Sequence, residues 1–530
     1  MKKIFVMMLC AAGIAALQAK PAYRGAIERT QADGSTITVY QHGDEFFHWT
    51  TNERGEWLKY ENGQYVVVPA MNNTEIAYAR ANAKRAPKAT QQASKINLAP
   101  HGLIILVNFS DVSFDASNSL SEMKDMHNGD NYNHEYTYTL RGYTYEVKAT
   151  GSARKYFIDQ SSGQYTPTFD VVGPYTLSKE RSYYGANDSR GNDKHPEDMV
   201  QEACKMAEGD VDFTLYDNDN DGKVDFVYII YAGYGEADSG VSDYIWPHTY
   251  HLTYSGILCN VDGKQVDLYA CGSELGYTSK HRDGIGTFCH EFSHVMGLPD
   301  IYSTNNGTWK TSGAWDIMDY GPYNNEGYTP PSYSGYERLF FGWTTPRVLG
   351  YGDYTIKELQ EFNDVCVLTA NGEFNGTGND PDPATFWVLE NRQMKEWDKY
   401  LPGHGMLITK IAYDYNSWLT NLVNNTKNNL RIDIQEADGK TPTYNASFEN
   451  GNAGKPGDAY PTGGTSYVWV PSHLVNNVAE ENEVISLSVT YTEDIDIVQT
   501  STSAVKTLRN GQVVIEHNGA FYNLLGTKIQ

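Results

Sequence analysis

Cysteine is scarce in this chain of 530 residues: six in all, and five (Cys204, Cys259, Cys271, Cys289, Cys366) once the apolar leader holding Cys10 is set aside. So odd and sparse a set excludes disulfides as the main scaffold, although Cys259 and Cys271 flank a turn at Asp262-Gly263 and a bridge between them stays open. Basic charge is short as well. Forty-one Lys and Arg against 66 Asp and Glu leave a net charge of −25, which repels a phosphate backbone and argues against a nucleic-acid partner. No apolar run reaches the ~20 residues that span a bilayer. The longest, residues 4–17, follows Lys2 and Lys3 and ends at Leu17-Gln18-Ala19, the layout of a secretory signal peptide over residues 1–19. A secreted mature protein with no membrane span is expected. No repeat of fixed period is present either, which argues against a solenoid or propeller.

What remains is ordinary globular composition, 40% hydrophobic and 20% charged, in a chain long enough for several domains. Residues 20–79 alternate short strand-like runs with Asp33-Gly34, Gly43-Asp44, Arg54-Gly55 and Asn62-Gly63, and read as a β-rich unit. Residues 80–95 carry Arg80, Lys84, Arg85, Lys88 and Lys95 without apolar periodicity, and read as an exposed, cleavable linker. Residues 96–345 mix strands, at 103–107 and 226–231, with a helix over 195–207, which gives an α+β class. Residues 346–490 return to short strands and turns, and 491–530 form a small β module.

The chemistry concentrates at His290-Glu291-Phe292-Ser293-His294, inside a helical run that stops at Gly297. Positions i and i+4 share one helix face, so both imidazoles can reach one zinc ion. Glu291 stands beside that metal rather than on it, where it can take a proton from the attacking water and return it to the leaving amine. Gly297 lets the chain turn sharply, and Asp300 can then swing back as third ligand, with Asp316 and Asp319 as back-ups. Three protein ligands leave a position open, as catalytic zinc requires. Tyr320 is a candidate donor to the developing oxyanion.

A second metal signal is Asp217, Asp219, Asp221 and Asp225 around Gly222. This spacing matches the first half of a calcium loop, but Tyr228 stands where a full EF-hand needs its Glu. Calcium and a solvated Asx-rich turn both fit.

With the run Asp316-Ile317-Met318-Asp319-Tyr320-Gly321, which resembles the methionine turn of metzincins with Met318 under the zinc, a family can be named. These residues, together with Ile245-Trp246-Pro247-His248, Gly335-Tyr336-Glu337-Arg338 and the run 386–392, resemble the secreted metallopeptidases of the immune inhibitor A family over roughly residues 95 to 415. The resemblance implies a zincin-like catalytic domain in an endopeptidase made as a zymogen. Protein or peptide substrates follow, and an activating protease acting at 80–95. The run 43–49 is similar to the pro-segments of such enzymes, which makes Asp44, Glu45 and His48 candidates for blocking the zinc. The runs 508–516 and 521–526 resemble the domains read by type IX secretion. The rival from another class is a secreted binding protein or adhesin with a structural zinc.

Overall fold

The computed structural model describes residues 20–44, 47–72, 75–76, 99–189, 191–304, 311–426, 429–439, 454–463 and 474–490, and as backbone alone 468–470, 473, 491, 505–509, 512–517, 520–522 and 528–529. The leader 1–19, the linker 80–95 and Glu45 lie outside the described residues.

The amino-terminal unit is an antiparallel meander of five strands in sequence order: β1 (Ile27–Thr30), β2 (Thr36–Asp44), β3 (Phe47–Thr51), β4 (Trp57–Glu61) and β5 (Gln64–Val67). Ile27, Val39, Leu58 and Tyr65 face inward as its small core. At the tip between β4 and β5, Asn62 and Gly63 both take positive φ (50° and 81°), the conformation of a tight two-residue hairpin turn.

The next domain is built on a mixed sheet of five strands: β6 (His101–Asn108), β7 (Thr168–Thr176), β8 (Val227–Tyr234), β9 (His248–His251) and β10 (Leu268–Leu275), in the order β9-β10-β8-β6-β7. All neighbours are parallel except β9, which runs antiparallel along β10 with His248 opposite Cys271. In β6, Ile104 and Leu106 point into one core, and Leu103, Ile105 and Val107 into another. Both faces are covered, so the strand is a continuous apolar run rather than an alternating one. On the first face lie helices α1 (Leu120–Asn128), α2 (Ala153–Gln160) and α4 (Gly286–Val295), which contribute Met123, Phe157, Phe288 and Phe292. On the second lies α3 (Pro196–Ala207), with Pro196 at its first turn, Glu197 and Asp198 at its amino-terminal end, and Met199 and Val200 facing the sheet. Proline and acidic side chains there suit the free N–H groups of a helix start.

The carboxy-terminal region begins with a five-stranded sheet in the order Arg347–Val348, Val365–Leu368, Thr385–Arg392, Gly405–Ala412, Ile432–Ile434. One face of it, with Val365, Val367, Phe386 and Val388, packs into the same core as α4, Tyr336 and Phe340. The opposite face, with Cys366, Leu368, Trp387 and Leu389, packs on a four-stranded sheet through Ile356, Val475, Ile485 and Leu487. The core thus runs unbroken across a boundary drawn at 345. The last four strands, 505–529, form a separate small sheet.

All five described cysteines are free, buried thiols. The Cys259–Cys271 bridge does not form. Cys259 lies opposite Val266 across the short hairpin, with Asp262 and Gly263 at its tip, whereas Cys271 is in β10 against His248.

Candidate metal centre

Helix α4 is buried along its whole length. Phe288 and Phe292, one turn apart, rest on the sheet side, with ring centroids 4.9 Å from Tyr228 and 5.1 Å from Phe226 respectively. That anchoring turns His290 and His294, also one turn apart, towards the opposite side. The helix packs so close to the following loop that a Cβ on Gly286 would sit 2.1 Å from the Pro322 carbonyl oxygen. At its end Gly297 takes φ 104°, a conformation open to glycine, and the chain turns back to bring Asp300 under the two imidazoles.

His290 Nδ1 lies 2.7 Å from the Ile317 carbonyl and His294 Nδ1 2.8 Å from the Leu298 carbonyl. Donation of Nδ1–H to those oxygens leaves each Nε2 with a lone pair. The two Nε2 atoms are 3.1 Å apart, and Asp300 Oδ1 is 3.3 Å from the first and 3.2 Å from the second. Three acceptors converge with no water-accessible surface on either His290 or Asp300. Such a set is mutually repulsive until a cation or proton joins it, and two imidazole nitrogens with one carboxylate oxygen are the donors zinc takes. Burial works against the Asp300 charge, but the imidazoles facing it hold its carboxyl well below the usual carboxylate range.

Asp300 is itself held. Asn421, in the loop after a short helix at Tyr415–Leu419, accepts from the Asp300 backbone N–H (2.7 Å) and donates through Nδ2 to Asp300 Oδ2 (2.5 Å). Only Oδ1 is left for the histidine side. Asn424 and Asn425 continue the clamp, donating to the Ile301 carbonyl (2.8 Å) and to Thr304 Oγ1 (2.8 Å). The turn at 316–321 supports the other imidazole: Asp316 Oδ1 accepts from Met318 N (2.8 Å), Ile317 supplies the carbonyl to His290, and the Met318 carbonyl accepts from Ile301 N (2.8 Å). Asp316 and Asp319 do not join the convergent atoms. Asp319 Oδ2 accepts from Gly313 N (2.7 Å) and Thr311.

Glu291 is fully buried, and burial pushes its carboxyl up to about 7. Thr249 of β9 donates to its Oε2 (2.7 Å), while its Oε1 accepts from the backbone N–H of Lys20 (3.1 Å). The residues that follow Lys20 run on past Trp246, Tyr323 and Tyr320. Trp246 Nε1 donates to the Lys20 carbonyl (3.3 Å), Tyr323 to the Pro21 carbonyl (2.8 Å), and Arg24 N–H donates to the Tyr320 hydroxyl (3.3 Å). Burial pushes the Tyr320 phenol up to about 12. Glu291 and Tyr320 thus flank one inserted segment.

Asp44 and His48 stand elsewhere, contrary to their expected place at the metal. Asp44 accepts from Phe47 N (3.1 Å) in its own hairpin, and His48 lies 3.1 Å from Glu236 and stacks on Trp246. His248 is likewise a packing residue, between the Trp246 carbonyl (2.6 Å) and the Tyr269 hydroxyl (2.9 Å). In the acidic loop, Asp217, Asp219 and Asp221 each bring a carboxylate oxygen within 4.8 Å of the others. Asp225 is not in that group, because Asn218 turns it inward through backbone and side-chain donors at 2.6 and 2.7 Å. Lys264 already pairs with Asp217 at 2.5 Å.

Comparison with known proteins matches residues 88–345 to the catalytic domain of immune inhibitor A peptidase M6. Residues 88–345 are a domain of that peptidase family. The M6 domain accounts for similarity to "Immune inhibitor A" of Bacillus thuringiensis subsp. alesti, 30% identical over 271 residues. It is also similar to "Pre-pro-metalloprotease PrtV" of Vibrio cholerae serotype O1 (strain M66-2), 28% identical over 270 residues. Each match covers 45% of this chain, and the chain spans 39% of the first relative's length and 29% of the second's. The metal group and Glu291 lie inside the M6 domain; Lys20 and Asn421, which touch them, lie outside it. Neither of these two has a local motif, since their contacts join residues 271 and 121 positions apart.

Proposed function

We propose that this protein is a secreted zinc endopeptidase of the metzincin-like kind, made in a latent form. The observation that carries the reading is the convergence of His290 Nε2, His294 Nε2 and Asp300 Oδ1 beside the buried Glu291. A zinc ion held by those three residues would polarise a peptide carbonyl and acidify water, which is what metal catalysis of hydrolysis supplies. Glu291, oriented by Thr249, takes the proton of the attacking water and passes it to the departing amine. Tyr320, whose hydroxyl accepts from Arg24 N four residues along the same segment, is the proposed donor to the oxygen on which negative charge develops once that segment has left. Met318 lies beneath the ligands as packing.

Latency rests on residues 20–24. They fill the cleft between Glu291 and Tyr320, and the meander of residues 27–67 anchors them. Residues 20–79 are then a pro-segment, and cutting within 80–95 by an activating protease lets it leave. The Asp217–Asp219–Asp221 group is a proposed calcium site that braces the loop below the sheet.

The rival, a binding protein with a structural zinc, is not favoured. Three protein ligands leave a coordination position unfilled by protein, and a structural site has no use for a proton carrier next to it. The test is zinc content and proteolysis of a casein-type substrate by protein cut within 80–95, beside Glu291→Gln prepared alike. The expected result is about one zinc per chain in both, with the variant slower by roughly 10²–10⁴. Zinc in both and cleavage by neither would return the binding-protein reading.

A further inference from the structure

The inserted segment also shows what side chain the cleft accepts. In peptide hydrolysis the nitrogen that receives the proton from the general base belongs to the residue just after the broken bond. Lys20 is the residue whose nitrogen rests on Glu291 Oε1, so Lys20 stands where that residue stands, and its side chain enters the corresponding subsite. Only 2% of Lys20 is exposed. Its Nζ is 2.9 Å from Thr287 Oγ1, 3.7 Å from Asp283 Oδ2 and 4.8 Å from the centre of the Tyr323 ring, over whose face it lies. Asp238 and Glu326 sit within electrostatic range of the same ammonium. One carboxylate, a hydroxyl and an aromatic face meet this ammonium, with two further carboxyl groups acting on it from longer range, and together they make a cation pocket.

We propose that this pocket is the subsite for the residue following the cleaved bond, and that the enzyme selects lysine there, its rim built from Asp283, Asp238, Glu326, Thr287 and Tyr323. The proposal rests on the endopeptidase reading. Water adds across the bond between any residue and the lysine: its oxygen joins the carbonyl carbon, the C–N bond breaks, and the lysine nitrogen leaves with the proton carried by Glu291. Burial raises the Asp238 and Glu326 carboxyls, and the Lys20 ammonium opposes that rise in each. An acidic side chain is repelled, and leucine offers Asp283 no charge in place of the ammonium. The linker holds three bonds of the selected kind, before Lys84, Lys88 and Lys95, which makes it a substrate for another copy of the enzyme.

The test takes protein cut within 80–95 and a peptide series that differs only in the residue after the scissile bond. Lysine is expected to exceed leucine by about tenfold or more in kcat/KM, the scale of one buried charged contact, with glutamate lowest. The double variant Asp283→Asn/Glu326→Gln is expected to bring lysine and leucine together. A readout free of catalysis is binding of the pentapeptide Lys-Pro-Ala-Tyr-Arg against Leu-Pro-Ala-Tyr-Arg, measured by calorimetry. One rate for lysine and leucine, with equal binding of the two pentapeptides, overturns the pocket and leaves the peptidase standing. Selective binding of the lysyl pentapeptide with no cleavage of any peptide sinks the peptidase and leaves the pocket.

Discussion

Two stretches of chain from outside the M6 domain reach its centre, and they do so in different ways. Residues 20–24 arrive from the amino-terminal side and touch the working groups themselves, Glu291 and Tyr320. Residues 421–425 arrive from the carboxy-terminal side and touch only the support of the site, the backbone and far carboxylate oxygen of Asp300 and the residues after it. On the proposed function, the first set lies where a substrate would lie. The second lies behind the ligand, in a core continuous with that of α4. An occupant and a support are distinguished by which side of the metal group they take, and their removal should have opposite effects.

The sharpest way to break this contrast is Asn421→Leu. It deprives the buried Asp300 carboxylate of its donor and frees the ligand to turn, so zinc affinity is expected to fall by roughly 10–100-fold, the scale for partners that orient a ligand. Competition with a chelator measures it. Unchanged affinity would make Asn421 a bystander.

Lys20→Leu tests the occupant. Loss of a buried, charge-assisted contact weakens the segment by roughly 1.5–3 kcal/mol, and uncut protein is expected to gain proteolytic activity, read against uncut parent protein. A drop in activity would place Lys20 with the supports instead.

A smaller effect belongs to pH. Burial disfavours charge on His48, but the facing Glu236 carboxylate outweighs it and raises the imidazole above its ordinary value. A raised histidine contributes stability that is fully present below its unfolded value near 6.5 and lost as pH climbs through the folded one. The amino-terminal unit should therefore hold more firmly at pH 6 than at pH 9, and His48→Gln should flatten the difference. Resistance to limited proteolysis across that range reads it.

Smallest is calcium. Millimolar calcium is expected to raise the unfolding temperature by a degree or a few, and Asp219→Ala, a change at an exposed position, to abolish the rise. Equal responses of parent and variant would leave the loop an Asx-rich turn.

How much of this was legible in the sequence follows from the range of each contact. His290, Glu291, His294 and Asp300 stand within eleven positions, and helix period plus one glycine turn suffice to gather them. Asn62-Gly63 and Asp262-Gly263 announce their hairpins for the same local reason. Asp44 and His48 drew notice as polar residues in the right unit, yet a hairpin uses such residues on its own backbone and at its edge before it can spare them for a distant metal. Lys20 and Asn421 carried no signal, because a lysine before proline and an asparagine in an Asn-rich loop are ordinary until the fold sets them against residues hundreds of positions away. The proposed pocket of Asp238, Asp283 and Glu326 is hidden likewise, its members drawn from three separate stretches of chain.

On the proposed function, the Asn421 clamp also bears on when the metal group becomes firm. A chain that has been made only as far as residue 345 holds all three proposed metal ligands and the whole M6 match, but lacks Asn421, which holds Asp300 from behind. Domains fold broadly in order of synthesis, so the metal group stays loose until some eighty further residues have emerged and packed, long after the amino-terminal segment is in place to fill the cleft. The order of residues along the chain thus puts the stopper before the engine, and a truncated or half-made copy is left with neither a tight metal nor an open site.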